Sequence, residues 1–438
     1  MWKHWVALRS QLDGQLWLRP ALASLGSALL VGLALRLGAL YRGPLPLDIS
    51  AEALIGLLSI MASSMLAVAT FSVSAVVTAV TSISNATTPR AARLILSDTT
   101  TQNVLASFIA AFIYSMIAIL ALEAFVFDRA GRFIVFVGLA AIVAWVLVAL
   151  VRWIDHVTRL GRLETGIEKM VAAALRAVTP DNAAAWGARV YDGGPPVASA
   201  VVAADKVGMV AQIHAGGLQE LAARLDAYVY LTVRPGDFVD TRTPIAYLTP
   251  VSDALREAAH EVQSCVAIAS SRSFAQDIRF GLVTLAETAD RALSPGINDP
   301  GTAIVILGRE LEVLTRWAET VRSQPVCETT FERVLVPPLK AAELVRDAFT
   351  AIARDGAGAV EVAIRLQKTL AALVRLDHAE LTAAAVAMSQ EALDQAERAL
   401  VAEQHKERVR AARREVLRLA GAQSDAERNR STEDGVNF

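Results

Sequence analysis

The stretch MASSMLAVATFSVSAVVTAVTSISNATTPR, Met61–Arg90, decides the fold of the first third of the chain. It carries no charged side chain before its last residue, and most of it belongs to a longer apolar run, Ile49–Ser84. An apolar run of roughly 20 residues is long enough to cross a bilayer as a helix. The stretch is also crowded with serine and threonine, and a purely lipid-facing helix has little use for so many hydroxyls.

Four such apolar runs predict a membrane domain with four transmembrane helices over residues 1–154. Hydrophobic residues make up 54% of the 438-residue chain, which exceeds ordinary globular usage. The runs are Pro20–Tyr41, Ile49–Ser84, Val104–Phe127 and Phe133–Val151. Lysine and arginine are more numerous at the ends that share a side with both termini, so the positive-inside rule predicts that both termini are cytoplasmic.

The polar side chains of the second run fall on one face of the predicted helix. At 100° per residue they share an arc of roughly 100°. We call this set the hydroxyl stripe; its members are Ser59, Ser63, Thr70, Ser74, Thr78, Thr81 and Asn85. Hydroxyls can replace part of a solute's hydration, so the stripe is one candidate lining for a water-filled pore. The spacing Thr70-xxx-Ser74-xxx-Thr78 is also a small-xxx-small pattern that lets helices pack closely, and both interpretations stay open.

Three ionisable residues lie within the apolar runs, and the predicted topology places all of them, with Arg42 beside the first run, near the non-cytoplasmic surface. They are Arg36, Glu52 and Glu123. Charges at such depth are unfavourable unless they are paired or hydrated. We expect either an ion pair of Arg36 with Glu123 or Glu52, or a charged vestibule that selects solutes.

Beyond the membrane domain, the residue patterns predict four further segments. They are a connecting helix and linker (155–196), a small β domain (197–250), a helical cytoplasmic domain (251–421) and a disordered tail (422–438). The β-rich runs and the turn RPGDFV, Arg234–Val239, resemble barrel-sandwich domains of the biotinyl and lipoyl type, in which a similar GD-x-V turn joins paired strands. No lysine occupies a hairpin tip, so a carrier role is not transferred, and no cofactor is expected.

The stretch QDIRFGLVTLAETADRALSPGINDPGTA, Gln276–Ala303, predicts a helix, a sharp turn and a second helix. Asp299 and Pro300 have the residue types of an N-cap and a first helical position. The polar residues of this stretch are compatible with a structural elbow, with a hinge, or with a site for a ligand or ion. The candidate residues for that site are Asp277, Arg279, Arg291, Asn298 and Asp299.

The same stretch resembles the bacterial membrane proteins of domain of unknown function 2254, whose hallmark is RALSPGINDPTTA preceded by an FGL helix. This chain departs from the hallmark at Gly301, where the family usually has threonine. The membrane half, TTPRAARLILSDTTTQNVLASFIAAFIYSM, is similar to the family's SPR…L…D…TQ…LG.F…F.Y pattern, with departures at Thr88 and Ala106. The resemblance implies a multi-pass protein of the bacterial inner membrane, and it brings no established reaction.

Catalytic and metal-binding motifs are absent from the sequence. It contains no H-E-x-x-H, G-x-S-x-G, phosphate-binding loop or dinucleotide fingerprint. Its two cysteines, Cys265 and Cys327, are far apart, and the net charge of −2 gives no indication of nucleic-acid binding. We therefore expect a protein that is not an enzyme and holds no metal.

These features favour a homo-oligomeric channel or pore-type transporter for ions or small solutes, lined by the second span and regulated by the cytoplasmic domain. A four-span protomer with one polar span has little internal room for a conduit, so several copies would form it around a symmetry axis. The expected partners are the lipid bilayer and further copies of the chain. The alternative is a non-conducting, membrane-anchored scaffold or sensor that binds a partner or ligand through its cytoplasmic half.

Overall fold

The computed structural model describes residues 18–40, 47–86, 88, 90, 99–159, 162–183, 185–194, 196–323 and 330–434. Over these residues the chain is mostly helical, with a small mixed β region and a run of helices at the C-terminal end. It divides into two compact units. The first comprises Met1–Asn85 and Ala92–Gly166, and the second comprises Ala86–Ala91 and Ile167–Phe438.

Four apolar helices form the first unit. They are α1 (Leu18–Leu40), α2 (Ala51–Ala86), α3 (Thr99–Ala124) and α4 (Arg129–Arg159). Helices α2, α3 and α4 each contain a segment long and apolar enough to span a membrane, whereas α1 supplies a shorter apolar segment, Ser24–Arg36. The prediction of four spans therefore becomes three candidate spans and one shorter apolar helix among the described residues.

Helices α1, α3 and α4 pack closely against one another. Phe108 and Tyr114 of α3 are fully buried at this contact. The Tyr114 hydroxyl donates a hydrogen bond to the Val135 carbonyl of α4 at 2.8 Å, which satisfies its buried polar atom. Helix α2 joins the same core through one row of side chains, including Leu54 and Leu58.

The second unit begins with two helices and the β region. The helices are α5 (Leu163–Ala177) and α6 (Pro180–Ala183), and later α7 (Ala215–Arg224), α8 (Asp253–Glu257) and α9 (Ala259–Cys265) accompany the strands. The strands are β1 (Ala188–Val190), β2 (Ala200–Ala203), β3 (Gly208–Ile213), β4 (Tyr228–Leu231), β5 (Phe238–Val239), β6 (Pro244–Thr249), β7 (Val266–Ala269) and β8 (Phe331–Val336).

The described strands form two open sheets, so the expected barrel-sandwich arrangement is wrong. One sheet has five strands in the order β1-β8-β4-β6-β2, and the other has three in the order β5-β3-β7. β8 pairs in parallel with both β1 and β4, whereas the remaining pairs are antiparallel. β7 and β8 lie in the segment that the sequence pattern predicts to be entirely helical. They form strands there because pairing with earlier strands overrides the local helix preference.

Six longer helices complete the second unit. They are α10 (Ile278–Leu293), α11 (Pro300–Ser323), α12 (Ala341–Asp355), α13 (Val360–Val374), α14 (Ala379–Ala399) and α15 (Glu403–Asp434). The sequence pattern predicts a disordered tail from residue 422, but α15 continues to Asp434. The apolar faces of these helices bury large side chains such as Phe349 and Leu366.

The hallmark helix α10 packs very closely against α5 at Gly281. A Cβ atom placed on Gly281 would lie 2.4 Å from the Cβ of Ala174 on α5, so only glycine allows this approach without a shift. Gly281 is the glycine of the FGL signature, and close packing gives that signature a physical reason.

We expect Gly281→Ala to destabilise the second unit by about 1–3 kcal/mol, because the added methyl overfills this contact. The companion change Ala174→Gly removes the opposing methyl, so the double variant should regain part of the loss, although the added Cβ would still lie 2.9 Å from the Cα of residue 174. Thermal midpoints of the full chain in mild detergent measure both effects. Equal midpoints for the single and double variants would contradict the close approach.

Candidate functional site

The hydroxyl stripe lies on a face of α2 that is exposed in the protomer. Its exposed members are Ser59, Ser63, Thr70, Ser74, Thr78 and Thr81, and the side chain of Asn85 lies outside the described residues. The stripe therefore faces out of the protomer, towards lipid or towards another copy of the chain.

The opposite face of α2 is the one that packs inside the protomer. Leu54, Leu58, Met61, Met65 and Ser72 are all buried there. At 100° per residue, these five residues centre about 180° from the stripe. Helix α2 is thus divided into an inward apolar face and an outward hydroxyl face.

Four hydroxyls of the stripe donate hydrogen bonds to the backbone of their own helix. Thr70 donates to the Leu66 carbonyl at 2.9 Å, and Thr78 donates to the Ser74 carbonyl at 3.0 Å. Ser63 and Thr81 bond in the same way to carbonyls one turn earlier. Because each proton is used within the helix, the oxygen lone pairs are the groups that these side chains present outwards.

The three ionisable residues expected to pair or to form a vestibule are exposed and separate. Arg36, Glu52 and Glu123 form no ion pair with one another among the described residues. An ion cluster that the sequence analysis missed lies instead before α2 and at the start of α4, where the Asp48 carboxylate pairs with Arg129 at 3.2 Å and with Arg132 at 3.7 Å.

In the second unit, Asp277 caps the N-terminus of α10. One carboxylate oxygen accepts a hydrogen bond from the Phe280 backbone amide at 3.0 Å. The Arg272 guanidinium donates one hydrogen bond to each carboxylate oxygen, at 2.7 and 2.9 Å. Asp277 is 2% exposed, and this burial raises the pKa of its carboxyl, while the Arg272 hydrogen bonds act in the opposite direction.

A turn of the β region approaches this carboxylate. Gly236 of RPGDFV has φ +98°, and a Cβ there would lie 2.4 Å from an Asp277 oxygen. Arg234 in the same turn is buried, its guanidinium lies 4.7 Å from the centre of the Trp186 ring, and one of its N–H groups donates to the Pro337 carbonyl. Burial lowers the pKa of Arg234 to about 10, so it remains protonated at neutral pH.

Arg279 connects α10 to α12. Its guanidinium pairs with the Asp347 carboxylate at 2.6 Å and with Glu343 at 2.9 Å. We call the whole group the arginine–carboxylate cluster; its members are Arg234, Asp237, Arg272, Asp277, Arg279, Glu343 and Asp347. The ion pairs of Arg279 join α10 to α12, and the β-region turn approaches the same cluster where Gly236 lies against the Asp277 carboxylate.

The remaining hallmark residues lie at the other end of α10. The 16-residue helix α10 separates Asp277 and Arg279 at its start from Arg291, Asn298 and Asp299 at its other end by about 24 Å. These five candidate residues therefore do not form one ligand site. Asn298 has a left-handed backbone, with φ 50°, in the turn between α10 and α11. Asp299 caps α11 as predicted, accepting hydrogen bonds from the Thr302 amide at 3.1 Å and hydroxyl at 2.6 Å. Arg291 lies in the last turn of α10.

The segment that follows α2 in the chain belongs to the second unit and is tied to the hallmark helix. The Arg90 guanidinium there pairs with the Glu287 carboxylate of α10. Arg90 is the last residue of the TTPR motif. The hallmark helix therefore carries at least four polar contacts: the cap at Asp277, the Arg90 pairing at Glu287, and two pairings with α12, at Arg279 and at Asp290 with Arg354.

One buried carboxyl has no partner. Glu310 of α11 is fully buried, and neither of its oxygens has a hydrogen-bond partner among the described residues. Burial raises the pKa of Glu310 well above its usual value, and the charge of Asp347 adds to the shift. No sequence motif pointed to Glu310, although it interrupts the apolar face formed by Ile306, Val313 and Trp317 at helical spacing.

The described residues contain no group of three or more histidine, cysteine, aspartate or glutamate side chains arranged to hold a metal ion. Cys265 is a free cysteine, and Cys327 lies outside the described residues.

Residues 13–372 match the protein family described as "Predicted membrane protein (DUF2254)". The match covers more than half of the 438 residues, so the chain belongs to this family. Together with the candidate spans, the match identifies an integral membrane protein.

Two relatives are uncharacterized proteins of Mycobacterium bovis and Mycobacterium tuberculosis. Each is 28% identical to this chain over 232 residues. The aligned region covers 50% of this chain and 43% of each relative, so the chain matches less than half the length of these proteins. No solved structure matches the chain.

The two aspartate caps of the hallmark should respond differently to truncation. We expect Asp277→Ala to destabilise the second unit by about 3–5 kcal/mol, because it leaves the partly buried Arg272 without its carboxylate. Asp299→Ala removes a more exposed cap and should reduce stability by about 1 kcal/mol. Thermal unfolding of the full chain in detergent compares them, and equal losses would contradict the buried pairing.

Glu310 should make stability fall as the pH rises. Its pKa in the folded state lies well above the ordinary glutamate value of 4.5, so between these two pH values the folded chain keeps a proton that the unfolded chain releases. The stability advantage of Glu310→Gln should therefore be small near pH 4.5 and grow by about 1.4 kcal/mol per pH unit up to the folded-state pKa. Thermal midpoints at pH 5 and pH 8 measure this difference.

Glu312→Gln is the matched control, because Glu312 is exposed on the same helix and pairs with Arg309 at 3.0 Å. It should show no such growing advantage. A Glu310→Gln midpoint that tracks the parent protein at both pH values would show that the Glu310 carboxyl ionises freely.

Proposed function

We propose that this member of the family forms a homo-oligomeric channel or pore-type transporter for ions or small solutes, with the hydroxyl stripe of α2 lining the pore. The observation that carries the proposal is the division of α2 into two faces. Its apolar face packs inside the protomer, and its hydroxyl face is exposed on the opposite side.

A single protomer would leave these hydroxyls facing hydrocarbon, where exposed polar groups are unfavourable. Several copies arranged around an axis would bring their stripes to a shared hydrated centre. Phe71 and Val73 flank the stripe on either side and are exposed in the protomer, at 71% and 49%. In an oligomer these apolar flanks would contact neighbouring copies or lipid.

The hydrogen bonds of the stripe support a preference among solutes. Four stripe hydroxyls donate their hydrogen bonds to backbone carbonyls, so their oxygens can only accept from a solute. They belong to Ser63, Thr70, Thr78 and Thr81. Rings of acceptor oxygens suit cations and solutes that donate hydrogen bonds. Within the proposed function, we therefore favour such species over anions. No chemical conversion of the solute is part of this proposal.

Regulation by the second unit is proposed through the segment that follows α2. The chain passes directly from α2 into Ala86–Ala91, and Arg90 in that segment pairs with Glu287 of the hallmark helix. A displacement of α10 would thereby pull on the end of the proposed pore helix. In this proposal the protein lies in the bacterial inner membrane, with the second unit on the cytoplasmic side.

A non-conducting scaffold or sensor is the second candidate, and one observation favours it. The intrahelical hydrogen bonds that satisfy Thr70 and Thr78 are also the bonds that allow hydroxyls to face lipid or a neighbouring helix without water. In that case α2 would only anchor the protein or pack it against a partner.

Water accessibility at neighbouring positions of α2 separates the two candidates. In a background with Cys265→Ser and Cys327→Ser, we expect Thr70→Cys in membranes to react rapidly with a membrane-impermeant thiol reagent. Phe71→Cys, at nearly the same depth but about 100° around the helix, should react slowly. Labelling rates in sealed vesicles measure the difference.

Conductance of the reconstituted protein in planar bilayers gives the functional result. Thr70→Leu should change the conductance of single channels, whereas Thr70→Ser keeps the hydroxyl and should preserve it. Absence of conductance together with equal, slow labelling at positions 70 and 71 would overturn the channel. A monomer in mild detergent and in native membranes would contradict the oligomer.

A further inference from the structure

A pocket of about 700 Å³ lies inside the first unit, apart from the hydroxyl stripe. It is formed by side chains of α1, α3 and α4, and small residues such as Ala106, Ala110 and Ala149 leave the space open. Its volume falls within the range of about 300–1,000 Å³ found for sites that bind small molecules.

The pocket extends through about one leaflet of a bilayer. Along α3 its lining runs from Thr100 to Ala111, and along α4 from Arg152 to Ile142. At 1.5 Å per residue, each of these segments is roughly 15 Å long. That length is about half of the 30 Å hydrocarbon core, which is the depth reached by the acyl chain of a single lipid.

The polar groups gather at one end of the pocket. Thr100 and Asn103 lie in the first turns of α3, and Arg152 lies near the end of α4, so these groups share one side of the membrane unit. No described carboxylate forms an ion pair with Arg152. The predicted topology places this end at the cytoplasmic surface, where lipid headgroups lie.

The deeper wall of the pocket is apolar because its polar atoms are already bonded. The Trp145 indole N–H donates to the Ser107 hydroxyl at 3.1 Å, and Ser107 donates to the Asn103 carbonyl at 2.8 Å. The Trp145 ring, which is 61% exposed, therefore presents apolar surface to the pocket. Ile142 and Val148 extend this surface along α4.

We propose that this pocket binds an anionic phospholipid, with the phosphate at Arg152 and one acyl chain along the alanine-lined wall. Charge complementarity selects the headgroup, because a guanidinium pairs strongly with a phosphate at the membrane surface. The apolar depth selects a molecule with an acyl chain. The site does not depend on whether α2 lines a pore.

Native mass spectrometry of the full chain, with phosphatidylglycerol and phosphatidylcholine of the same acyl chains, tests the site. We expect about tenfold preferential retention of phosphatidylglycerol, because the choline cation of phosphatidylcholine offsets the phosphate charge that both lipids present to Arg152. Arg152→Gln should abolish the preference. Arg129→Gln, at the opposite end of the same helix and outside the pocket lining, should keep it.

A second variant, Ala110→Phe, tests the acyl chain because it fills the pocket without changing its charge. It should lower retention of phosphatidylglycerol, and the thermal midpoint without added lipid should show that the variant is folded. Equal retention of the two lipids by the parent protein would overturn the proposal, as would a preference that survives Arg152→Gln. Competition by inorganic phosphate or glycerol phosphate alone, as effective as the whole lipid, would overturn the acyl-chain component.

Discussion

Hydrocarbon offers no hydrogen-bonding partner, and this constraint organises the first unit. Its backbone is satisfied within helices, and the buried Tyr114 hydroxyl is satisfied by a carbonyl of the neighbouring helix. The stripe hydroxyls of Thr70 and Thr78 turn to their own backbone. The described ion cluster around Asp48 lies at the ends of the helices. Thr70 and Thr78 can therefore expose oxygen lone pairs on α2 while their protons are bonded within the helix, whereas the buried Ser72 hydroxyl on the opposite face has no hydrogen-bond partner among the described residues.

In the second unit, the corresponding constraint is the burial of charged side chains. A buried charge needs a partner, because an uncompensated buried charge is strongly unfavourable. Asp277 is held by Arg272, and Arg279 is held by two carboxylates of α12. Glu310 has no such partner in the described part of the chain, and burial instead favours the neutral, protonated form of its carboxyl. The paired groups tie α10 to its neighbours, whereas the raised pKa of Glu310 predicts a stability that depends on pH.

Local pattern was sufficient for some of these features and insufficient for others. The apolar runs and the 3.6-residue period located the membrane helices and placed the hydroxyls on one face. The Asp-Pro pair located the cap of α11. The partners of Arg279 lie 64 and 68 residues away, and no local pattern links them. Local pattern also did not predict the pairing of β8 with β1 and β4, which are distant in sequence. The expected barrel-sandwich domain was wrong because one turn motif does not determine whether the strands form a closed sandwich or open sheets.

The central place of β8 has a consequence for synthesis on the ribosome. β8 lies between β1 and β4, yet 100 residues separate the end of β4 at Leu231 from Phe331. At about 5–20 residues per second, translation takes about 5–20 s to cover that distance. During this interval the nascent chain carries two strand edges whose common neighbour does not yet exist. Shielding of those edges by chaperones would then matter more for the yield of native protein than for its final stability.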